Sequence, residues 1–192
     1  HRLPGMPLVQ RQVRRPESLA QIIHGADQSA LDPHGRRGGG DVEHGAGVRL
    51  SQKLGVDPES IIVGNGSDEL LVLALRAFVD PGDEVVVAQP TFLIYELQAK
   101  ACGAKVAVVP LTDYRYDLAA MAQAVTPHTK LIFIANPDNP TGTYVTTKEL
   151  KTFLGRIPDQ AIVFMDEAYY EFVEAADYPQ TLSLRMEQSL LI

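Results

Sequence analysis

The sequence predicts an α/β protein in which helices cover both faces of a mostly parallel sheet, a three-layer αβα arrangement. Residues 131–135 and 162–165 are short apolar runs rich in β-branched and aromatic residues, which is typical of strands buried on both faces of a parallel sheet. Strand-like and helix-like segments also alternate along the chain with short connections. This alternation indicates βαβ units.

Composition then limits the class of protein. The 192 residues suffice for one large domain, and the apolar fraction of 45% and charged fraction of 21% are ordinary for a globular protein. The net charge of −7 argues against nucleic-acid and anionic-membrane partners. The single cysteine, Cys102, excludes an internal disulfide framework, and we find neither a membrane-spanning apolar run nor a signal-peptide core. We therefore expect a cytoplasmic protein.

Residues 1–50 differ from the rest of the chain. They hold four of the five histidines and seven of the eleven arginines, but no lysine, and they show no apolar period longer than one helical turn. His24, His34 and His44 are spaced ten apart, so they share no face of a helix or strand on which a metal site could form. We expect a poorly ordered or aberrant N-terminal arm over residues 1–50, and no metal site.

From residue 48 onward, residues that begin or end helices mark the predicted elements. Gly55 ends a first helix, and Ser67 is a good N-cap for the second. Gly103 stops the third helix, and Asp117 caps the fourth. These signals and the apolar periodicity between them predict helices over residues 48–54, 68–79, 93–101, 118–125 and 147–154. The remaining apolar runs predict strands over residues 61–63, 84–88, 105–109, 130–135 and 161–165.

The chain finishes in three apolar residues, Leu190, Leu191 and Ile192, that look like the start of a further strand. Natural domains seldom end inside a buried strand, because its backbone and side chains would then lack their neighbours. We therefore expect this chain to be cut short.

Two features of this pattern indicate a binding site. Gly64 and Gly66 precede a helix whose free N–H groups and dipole favour a phosphate, although a simply well-capped helix explains the same residues. The segment is not a dinucleotide-binding fingerprint, because Glu69 stands where that fingerprint has its third glycine. Two strands also end in polar residues, and the carboxyl ends of parallel strands are where ligands bind. These polar residues are Asn136, Asp138 and Asn139 after one strand, and Asp166, Glu167 and Tyr169 after the other.

Four segments together resemble the fold-type I aminotransferases that use pyridoxal 5'-phosphate, and most closely the histidinol-phosphate aminotransferases among them. They are GNGSDELL (64–71), PTFLIYE (90–96), NPDNPTGT (136–143) and DEAYYEF (166–172). The resemblance implies that residues 51–192 are an incomplete cofactor-binding large domain. It also implies a homodimer that transfers an amino group between histidinol phosphate and 2-oxoglutarate, with glutamate as the other partner of the exchange, in histidine biosynthesis.

The resemblance also assigns roles to individual residues. Asp166 would hold the proton on the pyridine nitrogen of the cofactor, since a charge-assisted hydrogen bond stabilises the pyridinium form. Asn139 and Tyr169 would bond the ring hydroxyl oxygen, and Phe92 would stack on the ring. The backbone groups that would receive the cofactor phosphate belong to Gly66, Ser67 and Asp68.

The sequence departs from the family pattern at three places. Asp138 replaces an asparagine, which we expect the site to tolerate, and residues 15–47 lack the motifs of the family's N-terminal arm. The lysine that holds the cofactor covalently belongs to a Ser-Lys motif that we expect beyond Ile192, and Lys148 and Lys151 lack that context. We therefore assign no catalytic residue and expect an inactive fragment. Two alternatives are another enzyme of the same fold (an aromatic aminotransferase or a phosphorylated-amino-acid decarboxylase) and the non-catalytic product of a decayed gene.

Overall fold

The computed structural model describes the backbone of residues 21–23, 41–184 and 190–191, and the side chains of residues 47–184. Five strands form one parallel sheet in the order β4-β3-β5-β6-β7. They are Glu84–Gln89 (β3), Lys105–Pro110 (β4), Thr129–Ala135 (β5), Ile162–Asp166 (β6) and Leu190–Leu191 (β7). A separate parallel pair joins Gln21–Ile23 (β1) and Ile61–Val63 (β2). The predicted parallel sheet is confirmed.

Helices cover both faces of this sheet. In β3 the successive residues Val85, Val86 and Val87 are all buried, and the same holds for every residue from 131 to 135 in β5. Because successive side chains of a strand point to opposite faces, both faces of these strands must be covered. The helices that pack around the sheet are Ser67–Phe78 (α2), Ile94–Ala101 (α3), Leu118–Ala124 (α4) and Thr147–Leu154 (α5). This is the three-layer arrangement that the sequence predicts.

Side-chain caps explain where α4 and α5 begin. The Thr146 side chain and the Glu149 carboxylate form a reciprocal capping box at the start of α5, and Asp117 accepts a hydrogen bond from the Ala120 N–H at the start of α4. The prediction for α2 is wrong by one residue. Ser67 is the first helical residue, and Gly66 is the N-cap with a φ of 87°. Only glycine adopts that backbone conformation without strain, so the glycine fixes the helix start.

The N-terminal part corrects the predicted start of the first helix. A helix, α1, spans Asp41–Leu54 and begins seven residues before the predicted start, and β1 lies inside the segment expected to be poorly ordered. Two glycines within α1 concealed it, because glycine is a weak helix former. Packing of α1 against β2 supplies the stability that local propensity lacks. His24 and His34 lie outside the described residues, as does Ile192, whereas the strand expected at Leu190 and Leu191 is present.

A short helix, Thr181–Leu184 (α6), and two 3₁₀ turns complete the described elements; the turns are Pro58–Ser60 and Tyr170–Phe172. None of the helices in the described ranges combines the length and the apolar character that a membrane crossing requires.

Candidate functional site

The order of the strands places a topological switch point between β3 and β5. The chain passes from β3 to β4 on one side and then crosses to β5 on the other side of β3. At such a switch point, the connections leave the carboxyl ends of neighbouring strands in opposite directions, and ligands bind in the gap between them. Phe92 follows β3, Asn136 follows β5 and Asp166 is the last residue of β6. These three residues, which the sequence singled out, therefore lie along one edge of the sheet.

Asp166 is held at this edge by several hydrogen bonds. Its carbonyl oxygen accepts from the Asn136 N–H at 2.8 Å. Its carboxyl group accepts from the Ala168 N–H at 3.1 Å and from the Tyr95 hydroxyl at 2.6 Å. Burial, and then the charge of Asp166, raise the pKa of Tyr95 well above its usual value. Tyr95 is therefore a permanent neutral donor that fixes one carboxyl oxygen of Asp166.

Phe92 is connected to Asp166 through the same tyrosine. The rings of Phe92 and Tyr95 meet edge to face, with centroids 5.5 Å apart, and Tyr95 stacks parallel on Phe133 at 4.9 Å. Phe92 itself is half-buried against the core. Sequence analysis did not assign Tyr95 a role. The signal for it was present, since Tyr95 lies three residues after Phe92 and so on the same side of a helical turn.

Asn139 and Tyr169 form a second group. The Asn139 side-chain amide donates to the Tyr169 hydroxyl at 3.4 Å, and Tyr169 is 44% exposed. Both residues line a cleft of about 440 Å³ between the loop after β5 and the segment after β6. The other lining residues are Pro137, Asp138, Pro140, Gly142, Tyr144, Phe172, Val173, Glu174 and Ala175.

The turn before α2 stands apart from these two groups. Its Asn65 N–H donates to the Glu69 carboxylate at 2.6 Å, so Glu69 closes the turn on itself. Gly66, Ser67 and Asp68 do not line the cleft, and neither do Phe92 and Asp166. No hydrogen bond of the described residues joins residues 66–68 to either group. The structure thus joins Phe92 to Asp166 and Asn139 to Tyr169, and it leaves the phosphate-binding assignment as a prediction.

Asp138 has a role that sequence analysis did not predict. The residue is only 3% exposed, and four donors point at its carboxyl group. One oxygen accepts from the Thr91 hydroxyl at 2.6 Å and the Tyr116 hydroxyl at 3.3 Å. The other accepts from the Thr141 hydroxyl at 2.7 Å and the Thr141 N–H at 3.2 Å. Asp138 therefore ties the segment that carries Phe92 to the loop that carries Asn139.

Glu167 belongs to a further buried network behind the strand ends. Its Oε1 atom accepts from the Thr181 hydroxyl at 2.6 Å and lies 3.2 Å from the Tyr178 hydroxyl. Tyr178 also donates to the Asn136 carbonyl oxygen. Burial is the main cause that raises the pKa of Glu167 to about 7, opposed by its hydrogen-bond contacts with Thr181 and Tyr178. Asp166 and Glu171 raise it further by their charge.

A mostly parallel sheet with helices on both faces and a topological switch point is the arrangement of the pyridoxal-phosphate-dependent aminotransferases of fold type I. Residues 20–192 match the family described as aminotransferase class I and II. The chain belongs to this family.

Individual relatives narrow the similarity. The histidinol-phosphate aminotransferase of Moorella thermoacetica is 48% identical over 134 residues, which are 70% of this chain and 35% of that protein. A crystal structure of the histidinol-phosphate aminotransferase of Sinorhizobium meliloti, in complex with pyridoxal 5'-phosphate, has a TM-score of 0.67 at 30% identity. The match covers 71% of this chain and 38% of the Sinorhizobium chain. A crystal structure of the tyrosine aminotransferase from Leishmania infantum has a TM-score of 0.55 at 27% identity. The match covers 61% of this chain and 33% of the Leishmania chain. The chain thus spans little more than a third of these proteins.

Proposed function

We propose that this chain is the cofactor-binding part of a histidinol-phosphate aminotransferase. That enzyme exchanges an amino group between histidinol phosphate and 2-oxoglutarate. The observation that carries the proposal is the geometry of Asp166, whose carboxyl group is fixed by Tyr95 and Ala168 at the carboxyl end of β6. The Moorella relative, with 48% identity over the matched residues, supports the choice of substrate.

The side chains present fit pyridoxal 5'-phosphate. Asp166 would hold the proton on the pyridine nitrogen, because a fixed carboxylate stabilises a neighbouring cation. The Asn139 side-chain amide and the Tyr169 hydroxyl, which lie 3.4 Å apart, would both bond the hydroxyl oxygen of the cofactor ring. Phe92 would pack on the ring face. When bound, the cofactor supplies an electron sink for the bond to be broken in the substrate.

The phosphate of the cofactor would lie at the start of α2. The backbone N–H groups of the first helical turn have no partner within the helix, and the helix dipole favours an anion there. The residues that we propose for this role are Gly66, Ser67 and Asp68. The 87° φ angle of Gly66 supports the proposal, since it lets the backbone turn sharply into the helix.

We extend the proposal to the domain, the oligomeric state and the cellular compartment of the enzyme. Residues 51–192 would be part of the large domain of a homodimeric cytoplasmic enzyme that acts on small molecules. The resemblance of residues 64–71, 90–96, 136–143 and 166–172 to the family supports this. A second candidate is an aromatic aminotransferase, which the similarity to the Leishmania tyrosine aminotransferase favours.

Titration of the full chain with pyridoxal 5'-phosphate, followed by the absorbance of the cofactor, tests the cofactor site. We expect saturable binding that falls at least about tenfold in Asp166→Asn, because a charge-assisted hydrogen bond contributes roughly 1.5–3 kcal/mol. Glu59→Gln changes an exposed carboxylate in a 3₁₀ turn that contains none of the proposed site residues, and it serves as the matched control. Equal affinity in Asp166→Asn and Glu59→Gln would contradict the proposal. Because we expect no turnover by this chain, the affinities of the cofactor-loaded chain for histidinol phosphate and for tyrosine separate the two candidate substrates.

A further inference from the structure

The hydrogen bonds behind Asp166 form a closed ring. The Asn136 N–H donates to the Asp166 carbonyl oxygen, and the Asn136 carbonyl oxygen accepts from the Tyr178 hydroxyl. Tyr178 in turn contacts the carboxyl group of Glu167, which follows Asp166 in the chain. The ring therefore connects the carboxyl end of β5 to that of β6 through the side chains of Tyr178 and Glu167. It includes the backbone groups that orient Asp166.

The count of protons in this ring determines the state of Glu167. The Tyr178 hydroxyl has one proton but lies within hydrogen-bond distance of two oxygens, the Asn136 carbonyl and Glu167 Oε1. A carbonyl oxygen only accepts, so the phenol proton satisfies it. The contact between Tyr178 and Glu167 then needs a proton from the carboxyl group. A protonated Oε1 keeps a lone pair that accepts from the Thr181 hydroxyl at 2.6 Å.

The surroundings favour the same state. Tyr178 is 5% exposed and Thr181 is 2% exposed, so the ring is dry on the side of α6. The charged groups that act on Glu167 are the preceding Asp166, at the end of β6, and Glu171 in the following 3₁₀ turn, and both disfavour a second negative charge.

We propose that Glu167 is a positioning residue for Asp166, acting as a neutral carboxylic acid that holds Tyr178 and Thr181 against the two strand ends. The proposal rests on the proposed function in one respect, because it takes Asp166 as the group that binds the cofactor. When the Glu167 carboxyl group loses its proton, it can no longer donate to Tyr178, and a buried negative charge takes its place. The ring then opens, and the backbone at Asn136 and Asp166 loses its fixed orientation.

Carboxyl-carbon NMR of the full chain tests the protonation directly. Burial holds the pKa of Glu167 at about 7 against a usual value of 4.5, so the folded chain keeps a proton that the unfolded chain has lost between these values. We expect the Glu167 signal to titrate above pH 6, and the amide signals of Asn136 and Ala168 to change with the same midpoint. A Glu167 midpoint below about 5, or amides that ignore its titration, would overturn the proposal.

Thermal unfolding of variants gives a second measurement. The stability from the neutral carboxyl group is fully present below about pH 4.5 and is lost as the pH rises through about 7. Glu167→Gln keeps a donor and an acceptor but cannot ionise. Its Tm relative to wild type should rise by about 5 °C between roughly pH 5 and pH 8, whereas the relative Tm of Glu59→Gln should stay constant. Parallel curves for Glu167→Gln and wild type would overturn the proposal, and the NMR titration decides if the variant does not fold.

Cofactor binding separates this inference from the proposed function. If wild type binds pyridoxal 5'-phosphate, its affinity should fall severalfold as the pH rises through the Glu167 midpoint, and the affinity of Glu167→Gln should fall less. An identical pH dependence in the two proteins would overturn the positioning role. Failure of wild type to bind the cofactor at any pH would count against the proposed function, while the amide titration would still decide the role of Glu167.

Discussion

Asp138 and Asp166 lie at the ends of neighbouring strands, yet their carboxyl groups have different surroundings. Asp138 is 3% exposed and accepts from four donors, which come from three separate segments of the chain. Asp166 is partly exposed, and its carboxyl group accepts from two donors, one on each oxygen. A carboxylate has about four lone-pair sites, so Asp138 is saturated whereas Asp166 keeps capacity for a further partner. The number of donors therefore distinguishes a carboxyl group that holds the fold from one that remains able to bind a ligand.

The largest effect on stability is expected from Asp138→Ala. This change leaves the hydroxyls of Thr91 and Tyr116 and the Thr141 N–H without their buried acceptor, which costs about 3 kcal/mol. The Tm should fall by roughly 6–12 °C, measured by circular dichroism. Asp138→Asn keeps one acceptor oxygen and should lose about half as much. A Tm for Asp138→Ala no lower than that for Asp166→Asn would remove the distinction between the two carboxyl groups.

Tyr95→Phe tests the donor side of Asp166 and should have an intermediate effect. The phenylalanine ring keeps the stacking on Phe133, so only the 2.6 Å hydrogen bond to Asp166 is lost. We expect a loss of about 1 kcal/mol in the free energy of unfolding and a several-fold weaker affinity for pyridoxal 5'-phosphate. Chemical denaturation measures the first and absorbance titration the second. Unchanged affinity would mean that Asp166 does not need a fixed orientation.

Arg115→Ala should have the smallest effect and calibrates the others. Arg115 pairs with Glu149 at 3.2 Å, but both side chains are about half exposed, so water and salt screen the pair. The expected loss is below about 1 kcal/mol, and it should shrink as salt is added during denaturation. A salt-insensitive loss would indicate that the packing of Arg115 on the Tyr144 ring, at 5.9 Å, contributes more than the charge.

Much of the fold could be predicted because its causes are local. The apolar runs of β5 and β6 are buried on both faces, as their composition predicts, and each strand begins and ends within one residue of the prediction. Helix α5 spans the predicted residues, and the local capping box of Thr146 and Glu149 fixes its start. Helix α1 was predicted too short because its stability comes from packing on β2, which a local pattern does not contain.

The candidate site was less predictable because its contacts join distant parts of the chain. Asp138 meets Thr91 across 47 residues, and Glu167 meets Thr181 across 14. No spacing rule for a helix or a strand connects such pairs. The resemblance to the aminotransferases supplied Asp166, Asn139 and Tyr169 as candidates. It did not indicate which hydrogen bonds would hold these residues in place.

The contact between Tyr116 and Ala135 has a consequence for local opening of the chain. The Ala135 N–H, at the end of β5, donates to the Tyr116 hydroxyl at 3.1 Å. Tyr116 precedes α4, and its hydroxyl also meets Thr91 and Asp138. Exchange of the Ala135 amide proton with deuterium must therefore wait until the whole cross-linked unit comes apart. This single amide would report, in an intact molecule, how cooperatively the connections above the strands unfold.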